Sequence, residues 1–232
     1  MDEQKRLFSP RTIVQLMIVV ILIPFLPLLV SWRWDWWEAW IFGIVYVLGF
    51  VISRLLVAQR HPDLLAERAH SLEQENAKQW DRVLAPIVAL GGAVLLLVAG
   101  LDMRFHWSAG FGLPFKVTAL VLIVAGYAFG TYAMLENRFF SGLVRIQTER
   151  GHHVVSTGPY HWVRHPGYVG AALTYLATPV FLDAAWAFVP AVLLMIALVI
   201  RTRLEDQTLQ AELPGYAAYA QRVRYRLLPG VW

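Results

Sequence analysis

The chain has 232 residues, of which 58% are hydrophobic and only 16% charged, whereas a soluble domain is about half apolar and about a quarter charged. That balance excludes an ordinary soluble domain and points to a bundle of a few spanning helices. The net charge of +4 needs no nucleic acid to account for it, because Lys and Arg gather in the cytoplasmic loops of membrane proteins. No cysteine is present, so disulfides and thiolate nucleophiles are excluded.

The apolar run from Ile13 to Val30 follows a charged start, as in a secretory signal. It is long for such a segment and no small-x-small cleavage site follows it, so it is expected to remain as a first span. A spanning helix needs roughly 20 mostly apolar residues, which predicts spans over 12–31, 38–58, 83–101 and 115–135. The stretch 168–200 is too long for one span and is interrupted by Pro179, Asp183 and Pro190. It reads as a helical hairpin of two short legs. The expected fold is therefore an all-α integral membrane protein of five to six transmembrane helices, ending in a C-terminal hairpin with a cytoplasmic pocket. The chain divides into N-terminal helices, 1–135, and a more polar region, 136–232, within one integrated membrane domain.

Between the spans, 1–11, 54–82, 136–167 and 201–232 hold every Lys and Arg except Arg33, Arg104 and Lys116. The positive-inside rule puts these four segments on one face if the hairpin returns to its starting side. Both termini are then cytoplasmic and the membrane is expected to be the inner membrane of a cell. "WRWDWWEAW", 32–40, gathers Trp32, Trp34, Trp36, Trp37 and Trp40 at one predicted boundary. It reads as an interfacial aromatic belt, with a lipid or substrate platform as the alternative. Segment 59–82 is polar enough for a loop with a short amphipathic helix.

Two polar clusters stand out. In "GPYHWVRHPGYVG", 158–170, Pro159 and Pro166 push the residues before them out of the helical region, and several glycines allow tight turns. An ordered loop over 145–167 follows, with Pro166 in the first turn of the next helix. Free N–H groups at that helix start, beside aromatic rings, suit a polar, flat-ringed cofactor; an ordinary capped loop is the alternative. In "RTRLED", 201–206, Arg201 and Glu205 are four apart and share a helix face. They form either a surface ion pair or a pair of ligand-binding charges, Arg201 for a carboxylate and Glu205 for an ammonium. Arg203 and Asp206 turn to other faces. No metal is expected from His152, His153, His161 and His165: Pro166 takes the last two out of a helix interior and no carboxylate lies among them.

The stretch "HHVVSTGPYHWVRHPGYVG", 152–170, resembles the signature of the isoprenylcysteine carboxyl methyltransferase family, H-x-x-V-x-x-G-x-Y-x-x-x-R-H-P-x-Y-x-G. The tail from Arg201, with Arg-x-x-x-Glu, Tyr-x-x-Tyr and Arg-Val, resembles the second half of the family pattern. The resemblance covers about 145–232. It implies a membrane enzyme that binds S-adenosylmethionine in a cytoplasm-facing pocket closed by the C-terminal segment, and releases S-adenosylhomocysteine. It implies cofactor contacts from Gln147, His152, His153, Val154, Val155, Tyr160, His165, Pro166, Gly167, Tyr168 and Glu205, with Arg201 handling a lipid-like acceptor from the bilayer. A carboxylate acceptor is already ionised at neutral pH, so no general base is required. Alignment of nucleophile, methyl carbon and sulfur can supply the catalysis. The alternatives are a phospholipid or amine N-methyltransferase, a membrane reductase of the sterol-reductase type, and a non-catalytic membrane subunit.

Overall fold

Apolar runs of the lengths above become helices because, away from water, a helix satisfies every backbone N–H and C=O within its own segment. The computed structural model describes residues 14, 17–69 and 76–232, and among them all regular structure is helical. A short π-helical turn, Ile18–Leu22, precedes α1, Leu26–Ser31. Then come α2, Trp37–Arg60, α3, Pro62–Ala69, α4, Asp81–Phe105, and α5, Leu113–Glu136. The C-terminal part holds α6, Pro166–Phe181, α7, Phe188–Glu212, and α8, Tyr216–Arg222. Among the described residues, four helices are long and apolar enough to cross a membrane: α2, α4, α5, and α7 with the single turn before it.

The expected spans 38–58, 83–101 and 115–135 correspond to α2, α4 and α5. The expected first span, 12–31, differs. Its start lies largely outside the described residues, as does the basic segment 1–11, and the described remainder is not one helix. Pro24 and Pro27 lack the N–H that a continuous helix would use, and the chain turns over 23–25 before α1 begins. The hairpin is present. Its turn falls at 182–187, where Asp183 takes φ +54. Pro179 is tolerated inside α6, and Pro190 sits in the first turn of α7. The first leg has 16 residues, about 24 Å at 1.5 Å per residue. The second runs unbroken through Arg201 and Glu205.

Helices α5 and α6 pack most extensively, and glycine makes this possible. A Cβ on Gly170 would stand 2.5 Å from the Gly126 carbonyl oxygen, and one on Gly126 would stand 2.6 Å from that of Gly170. The apolar core, including Leu28, Phe42, Leu95, Ile123, Phe181 and Leu194, fills the bundle between α1, α2, α4, α5, α6 and α7. At one end, Lys116 bonds Glu38 at 2.5 Å and also pairs with Asp183, tying the starts of α2 and α5 to the hairpin turn. Trp37 lies beside this cluster, and Trp32, Trp34 and Trp40 are exposed nearby, while Trp36 is buried. Trp107 and Trp186 meet at 6.4 Å on the same end. The aromatic belt thus draws on three connections rather than one. The opposite end carries the polar residues and a cavity.

Candidate functional site

The cavity, of about 160 Å3, opens where three stretches meet: the irregular chain from Asn137 to Tyr168, the end of α7, and α8. The chain from 137 to 165 has no long helix because its prolines and glycines forbid one, and only single turns form at Thr148–Arg150 and Gly158–His161. Gly158 needs its φ of +55, and a Cβ there would stand 2.5 Å from Glu136 Cγ.

Ion pairs hold this chain over the bundle. Arg145 donates to both oxygens of Glu67 in α3, at 2.9 Å each, and to Glu149 at 2.7 Å. Arg150 and Arg138 converge on Asp63, at 2.6 and 2.8 Å. Asp63 lies partly out of water, which alone would raise its pKa, but the two guanidiniums bring it down to about 2. Within the polar segment 59–82, α3 therefore supports the loop.

Asp206, fully buried, is the joint of the site. It accepts from Arg164 Nε at 2.7 Å and Nη2 at 3.0 Å, Arg226 Nε at 2.9 Å, Gln210 at 2.8 Å and the Tyr216 hydroxyl at 3.1 Å. Arg164 Nη1 donates onward to the carbonyls of Val223 and Arg224, at 2.7 and 3.0 Å. The backbone N–H groups of Arg164 and His165 donate to Tyr225 and Arg226 carbonyls, both at 3.0 Å, and the Tyr219 hydroxyl to that of Tyr160 at 2.7 Å. The tail is thus fastened across the loop. In the sequence Asp206 read as a bystander beside Glu205; buried, it is the acid that both clusters share.

Of the residues expected to bind cofactor, His152, His153, Val154, Val155, Tyr160, His165, Gly167, Tyr168 and Glu205 line the cavity, as does Arg201. Gln147 and Pro166 do not. Gln147 is fully buried, donates to the Phe139 carbonyl at 2.8 Å and accepts from Arg150, so its amide holds the loop together. Pro166 opens α6, with its ring in the helix start.

Arg201 and Glu205 do not pair as a surface couple. Arg201 donates from Nε and Nη2 to Asp81 at 2.6 and 2.9 Å, and from Nη2 to the Gly142 carbonyl at 2.9 Å. Asp81, fully buried at the start of α4, also accepts from the Val144 N–H at 2.6 Å. The fork expected to receive a carboxylate thus meets Asp81, and among the described residues nothing accepts from Nη1. Glu205 Oε2 accepts from the Tyr168 hydroxyl at 2.5 Å, while Oε1 stands 4.0 Å from His165 Nδ1. Its side chain keeps 23% of its surface accessible. The His165 ring stacks parallel to Tyr168, and its buried Nε2 stands 3.5 Å from Asp206 Oδ1.

Other wall groups are held neutral or cationic. Burial, with His153 and Arg145 adding, lowers the pKa of His152 to about 4. Its Nδ1 accepts the Gln147 N–H at 3.3 Å, and its ring lies on Phe139 at 4.6 Å. Burial raises the Tyr160 phenol well above its ordinary value, so it stays protonated. Arg68, from α3, donates to the carbonyls of Phe140 and Ser141 at 3.1 and 3.3 Å. Burial, with Arg54 and Arg201 adding, brings its pKa down to about 10. Arg68, Asp81, Arg145 and Phe139 escaped sequence reasoning. An acid at a helix start, such as Asp81, has a sufficient explanation in the helix dipole, and nothing in the pattern distinguishes it.

Residues 119–211 match the model of the isoprenylcysteine carboxyl methyltransferase (ICMT) family. The matched stretch begins in α5 and ends in α7, so it contains the whole loop from 137 to 165, the hairpin, Arg201 and Glu205. Of the resemblance expected over about 145–232, the match takes in the 152–170 motif, Arg201 and Glu205, and stops before the tail motif at 216–223. A lamin-B receptor of Drosophila melanogaster is 31% identical over 101 residues, covering 42% of this chain and 14% of that protein. The chain therefore corresponds to about a seventh of that relative's length.

Proposed function

We propose, from the match of residues 119–211 to the ICMT family, that this chain is a membrane methyltransferase of the EC 2.1.1 type. On this reading it uses S-adenosylmethionine, methylates a carboxylate on a lipid-like acceptor drawn from the bilayer, and releases S-adenosylhomocysteine. The observation that carries it is the wall of the cavity: an accessible acid, Glu205, beside the stacked rings of His165 and Tyr168, at the polar end of an apolar bundle. Those features fit a ligand that combines a flat ring with positive charge.

Bound there, the cofactor supplies an activated methyl group on a sulfonium sulfur. His152, His153, Val154 and Val155 would hold it along one wall, Tyr160, His165, Gly167 and Tyr168 along another. Glu205, oriented by the Tyr168 hydroxyl, carries the negative charge that complements its cationic part. Gly167 keeps the wall thin, since a Cβ there would meet the Phe140 ring at 2.5 Å. Arg201, fixed by Asp81, supplies the positive field that draws an acceptor carboxylate, and presents Nη1 toward it. No residue need take a proton, because a carboxylate is already ionised. The fastened tail keeps water out, which strengthens each of these fields. Gln147 and Pro166 serve this site by shaping the loop rather than by touching the ligand. On this reading the cavity end faces the cytoplasm, as the positive-inside rule favours, and the membrane is the inner membrane of a cell.

The test is calorimetric titration of the detergent-purified protein with S-adenosylhomocysteine, with reduced nicotinamide dinucleotide phosphate as control. Saturable binding of the first alone is the expected outcome. Binding of the nicotinamide cofactor alone would replace methyl transfer with reduction, and binding of neither would remove the proposed cofactor.

A further inference from the structure

Among the described residues, Arg145, Arg164 and Arg201 are buried at the cavity end and each has an acid, Glu67, Asp206 and Asp81 in turn. Arg54, half-buried in α2, has no acid partner among the described residues. It lies six residues before the helix end, at the boundary between the apolar span and the polar segment that follows. Its described contacts are the Met134 sulfur in α5, 3.5 Å from Nη1, and the Phe50 ring, 4.7 Å from the guanidinium carbon. Neither neutralises it. Beside it in the chain, the buried hydroxyl of Ser53 has no partner among the described residues. Arg54 also lies within electrostatic reach of Arg68 in the cavity wall, and Arg68 is in reach of Arg201.

We propose that Arg54 is the bilayer-side anchor for the anionic head of the methyl acceptor, and so selects membrane-borne acids over neutral or cationic lipids. This rests on the acceptor chemistry proposed above. A guanidinium in a span, supported by a sulfur and a ring, has its donors available for a carboxylate or phosphate fork. The anion is either the acceptor's own head or a bilayer phospholipid headgroup, and the experiment separates the two.

The probe is 5-doxyl-stearic acid, with its methyl ester as the neutral control, bound to the full chain in maltoside micelles and read by electron paramagnetic resonance. The wild type should bind the acid about tenfold more tightly than the ester, as one charge-assisted pair implies. Arg54→Gln should bring the two within about twofold while leaving S-adenosylhomocysteine affinity unchanged; Arg54→Met serves the same purpose if the glutamine variant does not fold. Equal binding of acid and ester by the wild type, or an undiminished preference in the variants, overturns the proposal. Displacement of the acid by phosphatidylglycerol as readily as by palmitate would make Arg54 a clamp for bulk lipid and equally overturn it. The readout needs no cofactor. Acid preference without S-adenosylhomocysteine binding would therefore sink methyl transfer and spare Arg54, and the reverse result would do the opposite.

Discussion

Arg164 and Asp206, 42 residues apart, form a buried two-pronged ion pair at 2.7 and 3.0 Å. Through it the loop, α7, α8 and the tail become one unit. Removing one partner of a buried pair leaves a charge without compensation, which costs about 3–5 kcal/mol. Asp206→Ala should therefore lower the thermal midpoint by several degrees and expose the segment after Leu213 to protease. The double variant Arg164→Met, Asp206→Leu should recover part of the loss. A melt monitored by intrinsic fluorescence, with limited proteolysis, checks both; an unshifted single variant would mean that the joint is ornamental.

Glu205 differs from Asp206 in its surroundings, though the two are adjacent. One is accessible in the cavity with a single hydroxyl donor, the other sealed among four side-chain donors. Glu205→Gln should keep the fold and weaken S-adenosylhomocysteine binding about 10- to 100-fold, as expected for loss of a charged hydrogen bond and its field. Tyr168→Phe, which removes the orienting hydroxyl, should cost about fivefold. Calorimetry on both decides this, and wild-type affinity in Glu205→Gln would take the residue out of the site.

Arg201 requires a paired design, because Asp81 depends on it. Arg201→Ala alone should destabilise the protein by about 3 kcal/mol, since Asp81 then lies buried without its cation, and lost turnover would be ambiguous. Asp81→Leu with Arg201→Met should restore most of the thermal midpoint yet leave methyl transfer at least about 100-fold down, the size of effect that one positioned charge donor supplies. If the stable double variant turns over at the wild-type rate, Arg201 is structural.

Much of this was legible in the sequence, and what was not shares one physical character. Three of the four long helices are declared by apolar runs, since a lipid-facing helix needs apolar residues on all sides. The loop is declared by Pro159, Pro166 and its glycines, whose backbone constraints are local. The cavity-lining residues at 152–155, Tyr160, Arg164, His165, Gly167 and Tyr168 follow because they lie within one continuous motif. Asp81, Glu67 and Asp63 were not legible, for their roles exist only across 63–120 residues of chain. Gln147 illustrates the converse: a polar residue near the motif whose amide is turned to its own loop. The break at Pro24 and Pro27 was locally readable, and the apolar run around it outweighed two residues that carry no backbone donor.

His152 gives the protein a pH dependence of definite sign. Its pKa is about 4 in the folded chain, lowered first by burial and then by His153 and Arg145, against 6.5 for the ordinary residue. A group whose folded pKa is depressed binds more protons when unfolded, so its contribution to stability is present above about 6.5 and is lost as pH falls toward 4. Protonation would also place a proton on Nδ1, which now accepts the Gln147 N–H. The thermal midpoint in detergent should accordingly hold between pH 8 and pH 7 and decline from pH 6.5 downward, with the Asp63 cluster titrating only below about pH 4. His152→Gln should flatten the slope between pH 6.5 and 4.5 while leaving the midpoint at pH 8 within a few degrees. An identical slope in the variant would assign the acid sensitivity to another group.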